Sequence, residues 1–365
     1  MRIAVNAASL EKHRLETFVQ MASLNNEHEF LFLTGKEFNQ KDLSKNTSLI
    51  EITPPEIFSM KWKIWNNFTL PSLLKKNKAD IFVSEKFVSG KTKVPQILIQ
   101  PDFSFLHQAS IMDKKEISFY KKNVSSFLEK SDSIIVNSNF LKNEIENRYK
   151  IPSEKISVIY PSLKNRNSIN FEQRELIKEK YAEGNEYFVY KGIISSEKNL
   201  VNLLKAFSVF KKRQRSKMQL LISGSAGKKF DEFVHSLESY KFKKDVKLLA
   251  NLDEEESEKV LASAYAMVYV PVYESEGLEV IEAMIYTVPL VVSDNSFLKE
   301  YCNEAALYVS ATNINDIAEK MMLLFKDEQK RKELIEKGEM RIEKFSLKSE
   351  TETLFDLIQN HVSLG

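Results

Sequence analysis

The chain has 365 residues, 43% of them apolar and 11% aromatic, and its 53 basic and 51 acidic side chains leave a net charge of +2. That composition supplies sizeable cores and excludes wholesale disorder, while the balanced charge offers no global field that favours nucleic acid or an anionic membrane. The single cysteine, Cys302, excludes an internal disulfide and a thiolate metal site, and His13, His28, His107, His235 and His361 lack metal-ligand spacing.

From the N-terminus, "RIAV" (Arg2–Val5) reads as a strand and not as a signal peptide, because its apolar stretch is short and broken by Asn6. The strands that follow are "FLFL" (Phe30–Leu33), "DIFVS" (Asp80–Ser84), "QILI" (Gln96–Ile99), "SIIV" (Ser133–Val136) and "SVIY" (Ser157–Tyr160). Between the second and third lies "FSMKWKIWNNFTLPSLLKK" (Phe58–Lys76), an amphipathic helix that interleaves Trp62 and Trp65 with lysines. Core packing is the preferred use of this helix, and rest on a membrane surface is the alternative. No apolar run approaches the roughly 20 residues that span a bilayer. A cytoplasmic protein is expected, with contact at the inner face of the cell membrane left open.

The second half offers "YFVY" (Tyr187–Tyr190), "QLLIS" (Gln219–Ser223), "VKLL" (Val246–Leu249), "MVYV" (Met267–Val270), "LVV" (Leu290–Val292) and "ALYV" (Ala306–Val309). Most of these runs are continuously apolar, as strands buried on both faces of a parallel sheet are. Helical segments such as Leu200–Lys212 and Glu255–Ala264 alternate with them. The expectation is α/β, with two doubly wound Rossmann-like sheets rather than one. The break falls near "PSLKNRNSIN" (Pro161–Asn170), which is polar, lacks a repeating pattern, and precedes a helix over Phe171–Tyr181. The expected domains are 1–165 on the acceptor side, 166–345 on the donor side, and a final helix over 346–365.

Nine glycines are far fewer than the usual ~7%. Gly192, Gly224 and Gly277 follow or lie just beyond strands of the second half, where a missing Cβ lets backbone approach a ligand. "SGSAGKK" (Ser223–Lys229) fails the spacing of a phosphate loop, which argues against an ATPase.

Four glutamates crowd "PVYESEGLEVIEAMIYTVPLVVS" (Pro271–Ser293): Glu274, Glu276, Glu279 and Glu282. A helix starts near Leu278, and on it Glu279, Glu282 and Tyr286 form one stripe. For Glu279 the preferred reading is a solvated residue that complements the helix macrodipole. Glu274 and Glu282 flank a helix start whose amides suit an anion such as a diphosphate, and carboxylates beside it suit sugar hydroxyls.

This stretch resembles the retaining glycosyltransferases of family 4, whose donor-site signature is two glutamates with seven residues between them. Here it stands as Glu274-Ser-Glu-Gly277-Leu-Glu-Val-Ile-Glu282-Ala-Met. "FVYKGIISSEKNLVNLLKAF" (Phe188–Phe207), "SFLKEYCNEAALYV" (Ser296–Val309), "SDSIIVNSNFLKNEI" (Ser131–Ile145) and "KFSLKSETETLFDLI" (Lys344–Ile358) resemble further family segments. The resemblance implies a GT-B fold, two Rossmann-like domains facing a central cleft. It implies that Glu274 contacts the donor sugar and Glu282 holds the ribose hydroxyls. Gly277 and Leu278 would present backbone amides, with Gly192 and Glu276 lining the donor pocket.

Lys198 would neutralise the diphosphate leaving group, so that neither metal nor cofactor is required. The implied reaction moves a hexose from a GDP- or UDP-linked donor to a hydroxyl of a glycan or lipid-linked acceptor, with retention. The "KNL" segment points to GDP-mannose or a related donor.

Several positions depart from the family pattern. Ile193 and Glu197 stand where an arginine is usual, and Lys191 is the nearby candidate to compensate. "NAASLEKHRLETF" (Asn6–Phe18) has no glycine, and the family's histidine-aspartate pair appears as Pro101-Asp102, with Asp102 the acceptor-side or sugar candidate. These departures keep a second expectation open: a catalytically degenerate GT-B protein that serves as the binding or scaffold partner of an active transferase.

Overall fold

The computed structural model describes the chain apart from residues 36–37, 39–42, 58, 101–102, 108–111, 164–168, 196–197, 275 and 364–365. It divides into two compact units, Met1–Leu163 with Phe345–Gly365, and Lys164–Lys344.

The first unit is built on seven parallel strands: β1 (Arg2–Val5), β2 (Glu29–Thr34), β3 (Thr47–Glu51), β4 (Ile81–Glu85), β5 (Gln96–Ile99), β6 (Ser133–Val136) and β7 (Ile156–Val158). Their order in the sheet is β3-β2-β1-β4-β5-β6-β7. Alternate residues of each strand feed opposite faces. Ala4, Phe82, Leu98 and Ile134 enter one core with Trp62, Trp65 and Phe119. Ile3, Val5, Ile81 and Ile97 enter the other, with Phe18, Met21, Leu354 and Ile358. Phe18 and Met21 come from the helix Lys12–Leu24, and Leu354 and Ile358 from the helix Leu347–Ser363, so the C-terminal helix completes this unit.

The second unit holds six parallel strands: β8 (Tyr187–Lys191), β9 (Gln219–Gly224), β10 (Val246–Ala250), β11 (Ala266–Tyr269), β12 (Leu290–Ser293) and β13 (Ala306–Val309), ordered β10-β9-β8-β11-β12-β13. The helix Phe171–Ala182 leads into it, started by a reciprocal cap in which Asn170 and Gln173 bond each other's backbone amides.

Twelve of these strands coincide with the apolar runs of the sequence. The thirteenth, β3, does not announce itself. It is an edge strand whose residues are half-buried or exposed, so "TSLIE" carries polar positions instead of a continuous apolar run.

The helical stretch Met60–Lys76 contains a wide π turn over Trp65–Thr69. Pro71 has no N–H to donate to Asn67, and the ladder widens there. The extra residue places Trp65 and Leu70, five apart, on the same buried side as Trp62 and Leu74. Trp62 packs edge-on against Phe87 and Phe119. The preferred sequence reading of both tryptophans, core packing, is what the structure shows.

Candidate functional site

In an open parallel sheet, a crevice forms where strand order reverses, because the connections before and after that point leave in opposite directions. In the second unit the reversal lies between β8 and β11. The sequence candidates gather at the carboxyl ends of these two strands. Lys191 ends β8, Gly192 follows it, Glu274 and Glu276 lie in the segment after β11, and Leu278 and Glu282 stand on the helix Leu278–Ile285.

The buried charges here are paired. Lys191 Nζ donates to Glu282 Oε2 at 2.5 Å, and Lys198 Nζ donates to Glu274 Oε2 at 3.1 Å. Glu274 and Glu282 are only 7% and 6% exposed, so both carboxylates would carry a large desolvation cost without these cations. Glu274 is held further by the Tyr269 hydroxyl, a short contact, and by the backbone N–H of Glu276 at 3.3 Å. Lys191, the candidate to compensate for the missing arginine, is paired with Glu282. Both lysines keep an ammonium beside a carboxylate at the crevice, an arrangement that can meet phosphate and hydroxyl groups together.

The backbone explains how these groups reach one place. Gly277 adopts φ +58° immediately before the helix, and a Cβ there would lie 3.0 Å from Phe297 Cε1. The left-handed turn and the tight space both require glycine. Gly224 fills a different need from the one its position suggests. A Cβ on it would overlap the carbonyl oxygen of Gly192 at 1.7 Å, so this glycine lets two strand ends approach each other rather than a ligand.

Asn199, also left-handed at φ +63°, precedes the helix Leu200–Gln214 and donates to the carbonyls of Val270 and Ala311, both at 2.7 Å. It fastens the segment that carries Lys198 to the end of β11. Its role was hidden in the sequence, where "KNL" marks only a helix start.

Glu279 departs from expectation. The stripe it shares with Glu282 and Tyr286 is not a solvated face: Glu282 and Tyr286 are both 6% exposed, and Glu279 is half-buried. Its Oε2 lies 3.4 Å from the Tyr269 hydroxyl, and its Oε1 would lie 3.1 Å from a Cβ on Gly192. Burial first, and the neighbouring Glu274 carboxylate second, push its pKa up to about 7, against the pull of Lys198.

The Tyr269 phenol is held well above its usual pKa by burial and by both glutamates, and Tyr190 stacks on it with centroids 5.8 Å apart. A tyrosine hydroxyl carries one proton. Tyr269 gives it to Glu274, so a protonated Glu279 is the form that fits beside it. Tyr190, Tyr269 and Glu279 belong to the site by geometry. The two tyrosines sit within continuous apolar strands, where the sequence gives no hint of a polar task.

Asp102 and Glu197 lie outside the described residues. Ile193, at the position of the usual arginine, is 49% exposed.

In the first unit the strand order reverses between β1 and β4, and buried polar groups gather there too. Asn6 Nδ2 donates to Ser84 Oγ at 3.1 Å, and Glu85 accepts from the Glu11 amide at 3.1 Å. Glu350 of the C-terminal helix accepts from Thr17 Oγ1 at 3.1 Å and from the Ser162 amide and hydroxyl at 2.9 and 2.5 Å, with Arg14 at 3.6 Å.

Comparison with known proteins bears on this geometry. The family model described as glycosyl transferases group 1 matches residues 172–341, and the model described as glycosyltransferase family 4 matches residues 11–163. The chain belongs to the group 1, family 4 glycosyltransferases. Among its relatives are O-antigen chain mannosyltransferase B of Escherichia coli, 23% identical over 64% of this chain and 62% of that one, and O-antigen chain mannosyltransferase RfbU of Salmonella typhimurium, 30% identical over 53% and 52%. The match thus spans between half and two thirds of these relatives' length. A glycosyltransferase structure from Rickettsia africae superposes with a TM-score of 0.75 at 16% identity, covering 98% of each chain, which establishes the GT-B fold.

Proposed function

We propose that this group 1 glycosyltransferase moves a hexose from a nucleoside diphosphate sugar to a hydroxyl of a glycan or lipid-linked acceptor in surface polysaccharide or glycolipid synthesis. The observation that carries the reading is the pair of lysine–glutamate contacts at the β8/β11 crevice, which sets hydroxyl acceptors and phosphate-binding cations side by side. In this account Glu282 accepts from the ribose diol and Glu274 from the donor sugar. Lys198 balances charge on the departing diphosphate, so transfer proceeds without a metal. Retained configuration is the outcome that the family resemblance implies. GDP-mannose is the favoured donor, in keeping with the two relatives named as mannosyltransferases.

The exposed Ile193 where an arginine is usual favours a second reading, a degenerate transferase that binds donor or partner without turnover. Calorimetry separates the two. UDP, GDP and their hexose conjugates are titrated, with no added metal, into the wild type and Glu282→Ala, and binders are then tested for turnover. One nucleotide should bind, and the substitution should weaken it at least ~100-fold. Binding without hydrolysis or transfer would favour the degenerate protein, and no binding at all would remove the donor site.

A further inference from the structure

The helical stretch Met60–Lys76 has a second face that the core does not use. Trp62, Trp65, Leu70 and Leu74 point inward, while Met60, Ile64 and Phe68 are 70%, 55% and 58% exposed. They recur every four residues. In the first unit, among the described residues, the only other large apolar side chain so exposed is Leu24. Three such side chains on one helix form a patch, and patches of this kind mark an interaction surface.

Within this helical stretch the charges are of one sign. "MKWKIWNNFTLPSLLKK" contains four lysines and no acidic residue, and Lys61, Lys63, Lys75 and Lys76 are all exposed. Lys91 Nζ sits 5.0 Å from the Phe68 ring centroid, which adds a cation at the apolar edge. Next to this helix in the core, through the Trp62–Phe119 contact, the helix Lys114–Lys130 carries a shallow groove lined by Lys114, Ile117, Ser118, Lys121 and Lys122.

We propose that the Met60–Phe68 face docks on an anionic lipid surface, with Met60, Ile64 and Phe68 entering the boundary between headgroups and acyl chains and the lysines meeting the headgroups. An apolar stripe flanked by lysine is the pattern of a helix that lies in the interface plane. Each lysine near an anionic surface adds attraction that salt screens. No helix among the described residues is long and apolar enough to cross a membrane, so this contact is peripheral. The proposal rests on the transferase reading, since a lipid-linked acceptor gives the contact its purpose.

The test is flotation of the full chain with phosphatidylcholine vesicles, with and without phosphatidylglycerol, at low and high salt. Three proteins are compared: wild type, the triple variant M60S/I64S/F68S and the pair K61E/K63E. Circular dichroism melts confirm that each is folded. Wild type should float with the anionic vesicles and lose binding at high salt. The apolar triple and the lysine pair should each reduce partitioning at least ~10-fold while leaving nucleotide binding unchanged. Failure of wild type to float, or flotation of the folded triple variant at the wild-type level, overturns the proposal. So does a wild-type dimer that the triple variant dissolves in sedimentation, because the face would then belong to a second copy. Vesicle binding reads the face and calorimetry reads the donor site, so each can fail without the other.

Discussion

At the strand reversal of the second unit, each buried signature glutamate meets a lysine, Glu274 with Lys198 and Glu282 with Lys191. At the reversal of the first unit, Glu85 Oε1, Asn6 Oδ1 and two guanidinium nitrogens of Arg14 are buried with no hydrogen-bond partner among the described residues. The two sheets share one scheme of parallel strands with order reversing at the centre. What differs is how charge is handled. The second unit keeps ion pairs that remain partly accessible through their lysines, as suits a site that opens to a ligand. The first unit holds its charges inside, closed over by Glu350 of the C-terminal helix, which ties Thr17, Arg14 and Ser162 together.

The comparison can be broken in several ways, the most drastic in the first unit. Glu350→Ala removes the carboxylate that pairs with Arg14 and leaves a buried guanidinium, at a cost of about 3–5 kcal/mol. Urea unfolding should show this as a large loss, with Glu350→Gln milder because an acceptor remains for Ser162. Equal loss in both variants would mean that charge plays no part there.

In the second unit, Lys198→Ala leaves the buried Glu274 without its cation and should lower the melting temperature, though less than Glu350→Ala does because the Tyr269 hydroxyl and the Glu276 amide still hold that carboxylate. The same substitution should reduce turnover of the bound donor by about 10²–10³-fold, the usual effect of removing one group that stabilises developing negative charge. A stability loss as large as that of Glu350→Ala would erase the contrast between the units.

Smaller effects follow pH. A carboxyl group whose pKa rises on folding stabilises the fold below its unfolded value, and that stabilisation is lost as pH rises through the folded value. Glu279, raised to about 7, therefore loses its contribution between about pH 4.5 and 7, and Glu85 and Glu350, both raised chiefly by burial, act in the same sense. His13 acts oppositely. Burial lowers it to about 3, so its contribution is present above its ordinary value near 6.5 and is lost as pH falls towards 3. Thermal melts across pH should show Glu279→Gln flattening the neutral limb by about 1–2 kcal/mol and His13→Gln flattening the acid limb.

Gly277→Ala tests the finest detail. A left-handed alanine 3.0 Å from Phe297 should cost about 1–2 kcal/mol and weaken nucleotide binding by shifting the helix start.

These differences also explain what was legible in the sequence. The donor-site candidates are readable because Glu274 and Glu282 lie within one strand–loop–helix passage, with Lys198 in a recognisable "KNL" segment. The pairing of Lys191 with Glu282 joins residues 91 apart, so it is invisible before folding. Glu279 was misread because a stripe of acids on a helix looks the same whether it faces water or a neighbouring strand end. The first unit's cluster is assembled from residues 6, 14, 85, 162 and 350, no two of which form a local pattern. Strands were legible wherever both faces are buried, and β3 was not because an edge strand keeps polar side chains.

The central claim is that the paired charges at the β8/β11 crevice form the donor site. Hydrogen exchange of the full chain with and without GDP or UDP tests it most directly. The account predicts the strongest protection in peptides covering 191–200 and 274–286, with that protection lost in Glu282→Ala. Protection centred instead on 6–18 and 81–87, or the same protection in Glu282→Ala, would contradict it.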